Sequence, residues 1–253
     1  MKNNMKYLAI FTLSLVLLMP QNAKAQNENL GPLLSVTELV IKPGHEMQFR
    51  EGIKAWMACY SENNGDWTWR LWQRQQGEGT VFVLASEMAN WAEMDKSDES
   101  GASCQDLGRT LINPHIEKAT NHITRLQPGI SKNALLTEDV IRVSFYSLNN
   151  ANGHKMMEVV KEVEAIRKQA NLEPNGYWYQ WQTADPGSPS YHHVMPYKDF
   201  AAMDIMLEGV WQTVEKQAGK AKKDELQAAF RSSLDLSWNY IYKLDKEISR
   251  LNK

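Results

Sequence analysis

Val40-Ile41-Lys42-Pro43-Gly44-His45-Glu46-Met47-Gln48-Phe49 changes its hydrophobic period in mid-stretch. Upstream, Leu34 to Ile41 is rich in β-branched residues, which is strand composition, and Pro43-Gly44 is a turn signal. Downstream, Phe49, Ile53, Trp56, Met57 and Tyr60 fall on one stripe of a helix that Asn63-Asn64-Gly65 stops. Working outward, Trp67 to Arg74 reads as an aromatic strand, Gln75 to Gly79 as a hairpin loop and Thr80 to Ser86 as the next strand. A second helical region is expected from Asn90, interrupted near Pro114, and a closing strand from His122 to Gln127. The order is βαββαβ.

The same order recurs about 109 residues later. Gly44-His45 meets Gly153-His154, Met47 meets Met156, Trp69 meets Trp178, and Trp72-Gln73 meets Trp181-Gln182. With Leu39 over Leu148, and Ala92, Met94 and Asp95 over Ala201, Met203 and Asp204, about ten identities fall in roughly sixty positions, where chance gives about three or four. Asn121 to Leu126 resembles Asn239 to Leu244 after a shift, so the second copy has gained residues, most simply in the basic stretch Lys216 to Lys223. In that copy Val140 to Leu148 is the first strand, and Met156, Val159, Val160, Val163 and Ile166 stripe its helix. Tyr177 to Thr183 and Ser190 to Met195 make the hairpin, a helix starts near Lys198, and Trp238, Tyr240 and Tyr242 alternate along the last strand. The expected organisation is a segment 1–25 to be removed, a first unit 26–127, a linker 128–139 and a second unit 140–253.

The segment to be removed has the make-up of a secretory signal: Lys2 and Lys6, an apolar run from Leu8 to Met19, and the small-x-small site Ala23-Lys24-Ala25. The protein is therefore expected to be exported, secreted or periplasmic, and not membrane-embedded once cleaved. Removing the three lysines of that segment takes the net charge from −2 to about −5. A mildly acidic, mixed-sign protein is a poor nucleic-acid binder. Cys59 and Cys104 are the two cysteines. An oxidising compartment permits a disulfide between them, and two buried free thiols are the alternative. No phosphate loop, dinucleotide fingerprint, nucleophile elbow or metal-ligand spacing is present.

A βαββαβ unit is a ferredoxin-like split βαβ motif with helices on one sheet face, and the other face needs a cover. Val40 to Phe49, with the aromatic hairpin and the later Trp91 or Phe200, resembles the dimeric α+β barrel superfamily, which includes the antibiotic-biosynthesis-monooxygenase-like and NIPSNAP-like families. The resemblance implies an α+β fold of two ferredoxin-like units packed sheet to sheet, here within one chain, as a monomer or homodimer. It also implies a barrel holding a small planar organic molecule, with no bound metal or flavin needed for reaction with oxygen. A noncatalytic exported binding protein is the competing expectation, and a haem-binding barrel with His192 or His193 as axial ligand is a third.

The residues singled out as ligand-binding are Tyr191, His192, His193, Tyr179, Trp181, Gln182, Arg70 and Trp72. Tyr191-His192-His193 stands where the gapless comparison puts Phe82-Val83-Leu84, so polarity replaces apolar character in one copy only. Neighbouring strand residues face opposite ways, so at most one of the two histidines points inward, and it is expected near Tyr179 or Trp181. Alternation separates Trp69 and Gln73 from Arg70 and Trp72 without saying which pair faces in. His45 and His154, at equivalent helix starts, read as inherited turn and cap residues. His115 and His122 have no partner at ligand spacing.

Overall fold

The computed structural model describes residues 30–205 and 208–251. The expected signal segment and its cleavage after Ala25 lie outside the described residues. The first half runs β1 (Leu33–Ile41), α1 (Glu46–Glu62), β2 (Arg70–Arg74), β3 (Thr80–Met88), α2 (Glu99–Ser103), α3 (Gln105–Leu107) and β4 (Ile116–Leu126). The second runs β5 (Val140–Leu148), α4 (His154–Gln169), β6 (Tyr177–Trp181), β7 (Tyr191–Tyr197), α5 (Val210–Ala218), α6 (Lys220–Ser232) and β8 (Leu234–Leu244).

The strands form one closed antiparallel barrel in the order β1-β3-β2-β8-β5-β7-β6-β4, with β4 returning to β1. Each half supplies four contiguous strands. The halves do more than stack faces, because their edges are hydrogen-bonded. Trp72 lies opposite Leu244 at the β2–β8 seam, and Thr124 lies opposite Trp181 at the β4–β6 seam. Closure removes every open edge, whose unpaired N–H and C=O groups would otherwise need water or another chain.

Alternation along the strands makes two apolar layers. Outward-facing Leu39, Ile41, Leu71 and Phe82 pack on Phe49 of α1. In the other half, outward-facing Trp178 packs on Met156 and Val160 of α4. Inward-facing Trp72, Ile141, Val143, Val194, Tyr242 and Leu244 meet inside the barrel. The α4 stripe read from the sequence is buried at all of Met156, Val159, Val160, Val163 and Ile166.

Several boundaries differ from the sequence reading. β4 begins at Ile116, before His122, and β2 begins at Arg70, because Trp69 pairs with Arg250 of the C-terminal tail instead. The helical region after Asn90 is broken into short turns and α2 and α3, ending in a wide turn over Gly108–Ile112. In the second half the long helix starts at Val210 rather than near Lys198. The basic stretch spans the end of α5 and the start of α6, which turn at Gly219 with φ +86°. Its lysines pair with Glu162, Glu215, Asp224 and Glu225 at the surface.

The linker is structural as well as connective. Ile130 is buried against Met156 and Trp178, and Leu135 and Leu136 lie at one end of the barrel interior. The tail after β8 crosses to the first half, where Ile248 is fully buried and its carbonyl accepts from the Trp69 indole at 3.0 Å. Cys59 of α1 and Cys104, just after α2, are joined in a disulfide with Cα atoms 6.0 Å apart. Among the described residues no helix is long and apolar enough to cross a membrane.

Candidate functional site

The barrel encloses a cavity of about 500 Å³. Strand parity decides what lines it. Leu34, Val36 and Glu38 project inward from β1, Arg70, Trp72 and Arg74 from β2, and Val83 and Ala85 from β3. Across the lumen stand Phe145 of β5, Tyr179 and Trp181 of β6, His192 of β7, and Trp238, Tyr240 and Tyr242 of β8. The two walls differ because equivalent pairs carry side chains of different size. In the first half Val36 lies opposite Ala85, and Ala85 opposite Arg70. In the second half Phe145 lies opposite His192, and His192 opposite Tyr179. At these pairs the first half therefore presents small side chains to the lumen, and the second presents an aromatic wall.

These pairings correct the gapless matching of the two halves. His192 occupies the position of Ala85 and His193 that of Ser86, not those of Val83 and Leu84. The second hairpin is shorter between matched pairs, and a slip of even length preserves which face each residue takes.

Of the residues read from the sequence, Arg70, Trp72, Tyr179, Trp181 and His192 line the lumen. Tyr191 and His193 face the helix layer, where the His193 ring packs on Trp178 at 4.6 Å between centroids. Gln182 is exposed, just past the end of β6. The lumen also recruits His122, Glu38, Arg74, Trp238 and Tyr240. Alternation from His122 through Thr124 was readable, but nothing in the sequence said which parity of β4 faces inward.

His192 is 5% exposed and held on three sides. Its ring stacks on Tyr179 at 4.9 Å and 9°. Phe145 lies 5.9 Å away, and the Trp181 indole N–H donates to its Nδ1 at 3.0 Å. Burial, with a smaller contribution from His193, pushes the His192 imidazole down to about 3, so it is neutral near pH 7. The other face of Trp181 meets His122, with centroids 4.6 Å apart. His122 in turn lies 3.9 Å from Asp185, on the loop at the mouth of the lumen.

Polar groups flank the apolar middle. The Arg70 guanidinium donates to the Leu136 carbonyl at 3.1 Å at the linker end. Arg74 lies over the Tyr240 ring at 4.7 Å, and its Nε is buried without a partner among the described residues. Burial raises the Tyr179 and Tyr242 phenols well above their ordinary range, so both stay protonated.

No protein-family model and no curated protein matches this sequence. Solved structures do match its fold. The barrel superposes on a proposed monooxygenase from Lactobacillus acidophilus with a TM-score of 0.53 and 14% identity, covering 85% of this chain and 95% of that one. A proposed monooxygenase from Fusobacterium nucleatum gives 0.52 and 11%, covering 88% and 97%. An anthrone oxidase-like protein gives 0.51 and 9%, covering 85% and 92%. The fold is that of a dimeric α+β barrel. The matches span most of both chains, so what is shared is the whole barrel and not one half of it. At these identities the likeness of these α+β barrels is one of fold, and activity has to be argued from the lumen.

The two histidines expected as haem ligands do not fit that role. An axial imidazole binds iron through one nitrogen while the other carries the proton. The Nδ1 of His192 accepts a hydrogen bond from the Trp181 indole N–H, so the ring's own proton sits on Nε2, leaving no lone pair for iron. His193 lies outside the lumen, under Trp178.

Proposed function

We propose that this chain is an exported, enzyme-like barrel made of two fused ferredoxin-like units, and that it binds a planar organic molecule in its lumen. The observation that carries the reading is the asymmetry of the walls: a small-residue face at Val36 and Ala85 opposite an aromatic face of Phe145, Tyr179, Trp181 and Trp238. A flat ring system fills such a slot, and the volume lies within the range of small-molecule sites. Descent from one unit is supported by the repeated element order and by the residues shared between the halves. Export is supported by the signal-like N-terminus and by the disulfide, which belongs to oxidising compartments.

The lumen's chemistry favours orientation and desolvation over proton abstraction by histidine. The Nδ1 lone pair of His192 is occupied, so the ring is a poor base. Reactivity would then reside in the ligand, as for a ring system that itself reacts with oxygen. One neighbour in fold is described as anthrone oxidase-like, which makes anthrone a reasonable first probe.

The test is titration of the purified mature protein with anthrone, followed by tryptophan fluorescence, in parallel with Ala85→Phe, which fills the open side of the slot. Saturable quenching that Ala85→Phe abolishes at unchanged thermal stability supports the lumen. Oxygen uptake with bound anthrone makes the protein an enzyme, and binding without uptake makes it a noncatalytic carrier. Quenching that survives Ala85→Phe sinks the reading, and a Soret band on addition of haemin reinstates the haem alternative through another residue.

A further inference from the structure

The environment of His192 specifies one tautomer and one direction of hydrogen bonding. The inference rests on the lumen being a ligand site. An indole N–H can only donate, so the Nδ1 it meets at 3.0 Å must carry the lone pair. In a neutral imidazole the proton then sits on Nε2. Tyr179 stacks on the ring, Phe145 lies 5.9 Å from it, and His122 backs Trp181. Nε2 makes no hydrogen bond among the described residues, and its side chain lines the cavity. Nε2 is not among the fully buried unpartnered atoms, so this donor is accessible, and its side chain borders the lumen, where an acceptor can reach it.

We propose that the His192 Nε2–H is the lumen's recognition group for an acceptor oxygen, a carbonyl or phenolate on a planar ring system, and that Trp181 is the positioning residue that fixes its tautomer. The chemistry is selective. A fixed N–H donor attracts an oxygen in the ring plane and offers nothing to a cationic ligand or a metal ion. The aromatic wall supplies affinity without discrimination, because any flat apolar surface satisfies it. The donor discriminates between an oxygenated ring and the bare hydrocarbon. It also strengthens its hold on an oxygen that gains negative charge, since charged acceptors bond more strongly.

The experiment uses two probes of the same size and charge, anthraquinone sulfonate and anthracene sulfonate, with binding read by tryptophan fluorescence. The wild-type protein is expected to bind the quinone about tenfold more tightly, the effect of one net hydrogen bond. His192→Phe should bind both equally. His192→Gln, which can accept from Trp181 and still donate, should restore most of the preference. Nitrogen NMR of the imidazole is expected to show the proton on Nε2 in the wild type and a mixture of tautomers in Trp181→Phe. A proton on Nδ1, or equal affinity of the wild type for both probes, overturns the proposal and leaves the lumen as a ligand site. Failure of the wild type to bind either probe overturns both readings together.

Discussion

His192 and His193 should make the protein acid-sensitive in a window where carboxylates hardly titrate. Burial is the main cause of both shifts. Each imidazole is pushed from 6.5 down to about 3, His193 also by the positive charges of Arg142 and Arg167. The unfolded chain takes up protons at these sites as pH falls below 6.5, while the native state refuses them. Stability is therefore full above pH 6.5 and is lost as pH falls toward 3. One pH unit below 6.5 costs about 1.4 kcal/mol per imidazole, so about 3 kcal/mol for the pair at pH 5.5. Glu164 acts in the opposite sense, because burial raises its carboxyl and its native form binds a proton first. The assay is urea unfolding at pH 7.5 and 5.5 for the wild type and His193→Leu. The variant keeps the apolar contact with Trp178 and removes a buried Nε2 that has no partner, so it should be close to neutral at pH 7.5. Its loss between the two pH values should be smaller than the wild type's by about 1.4 kcal/mol. Glu164 is common to both proteins and cancels in that difference, and His192 keeps burial, the larger cause of its shift. Equal losses would show that His193 protonates freely in the native state and is not held neutral by burial.

Reducing the Cys59–Cys104 bridge, whose sequence separation is 45, should cost about 4 kcal/mol on the loop-entropy argument, measured by urea midpoints with and without reductant. Gly176→Ala should destabilise by about 2–3 kcal/mol, because a Cβ there would sit 2.3 Å from the Val194 carbonyl oxygen and 2.5 Å from the His193 Nε2. An unfolding midpoint unchanged from wild type would mean that β6 and β7 are packed differently. Phe82→Ala, in the outer layer at 0% exposure, should cost about 3–5 kcal/mol. Val83→Ala, bordering the open lumen, should cost less than about 1.5 kcal/mol, and a reversal of that order would invert the parity of β3.

Much of the architecture was legible because two signals reinforced each other. The switch from strand to helix period around Pro43-Gly44 located β1 and α1, and its echo at Gly153-His154 located β5 and α4. The stripe from Met156 to Ile166 survives intact in α4 because a helix on the outside of a barrel buries one face only. The region after Asn90 is less helical than its sequence suggests. There the chain must return from one end of the barrel to the other, and short turns, the disulfide and the close pass of Leu111 at Gly52 of α1 shape it more than propensity does.

The site was less legible, for a reason that belongs to barrels. A strand with one wet face advertises its inward side by alternation. Here both faces are covered, by helices outside and by aromatic side chains inside, so Trp69 outside and Trp72 inside look alike in sequence. Register then depends on contacts between distant segments, such as Trp72 opposite Leu244 and Trp181 opposite Thr124, which no local pattern encodes. That is why His122 passed as an isolated histidine although its ring lies against Trp181. It is also why His192 was set against Val83 when its true counterpart is Ala85. A histidine in place of a valine would be a polar substitution at constant bulk. A histidine in place of an alanine, beside Phe145 in place of Val36, means that one half fills the lumen while the other leaves it open. The two halves build the two walls, and the different sizes of their facing side chains shape the slot between them.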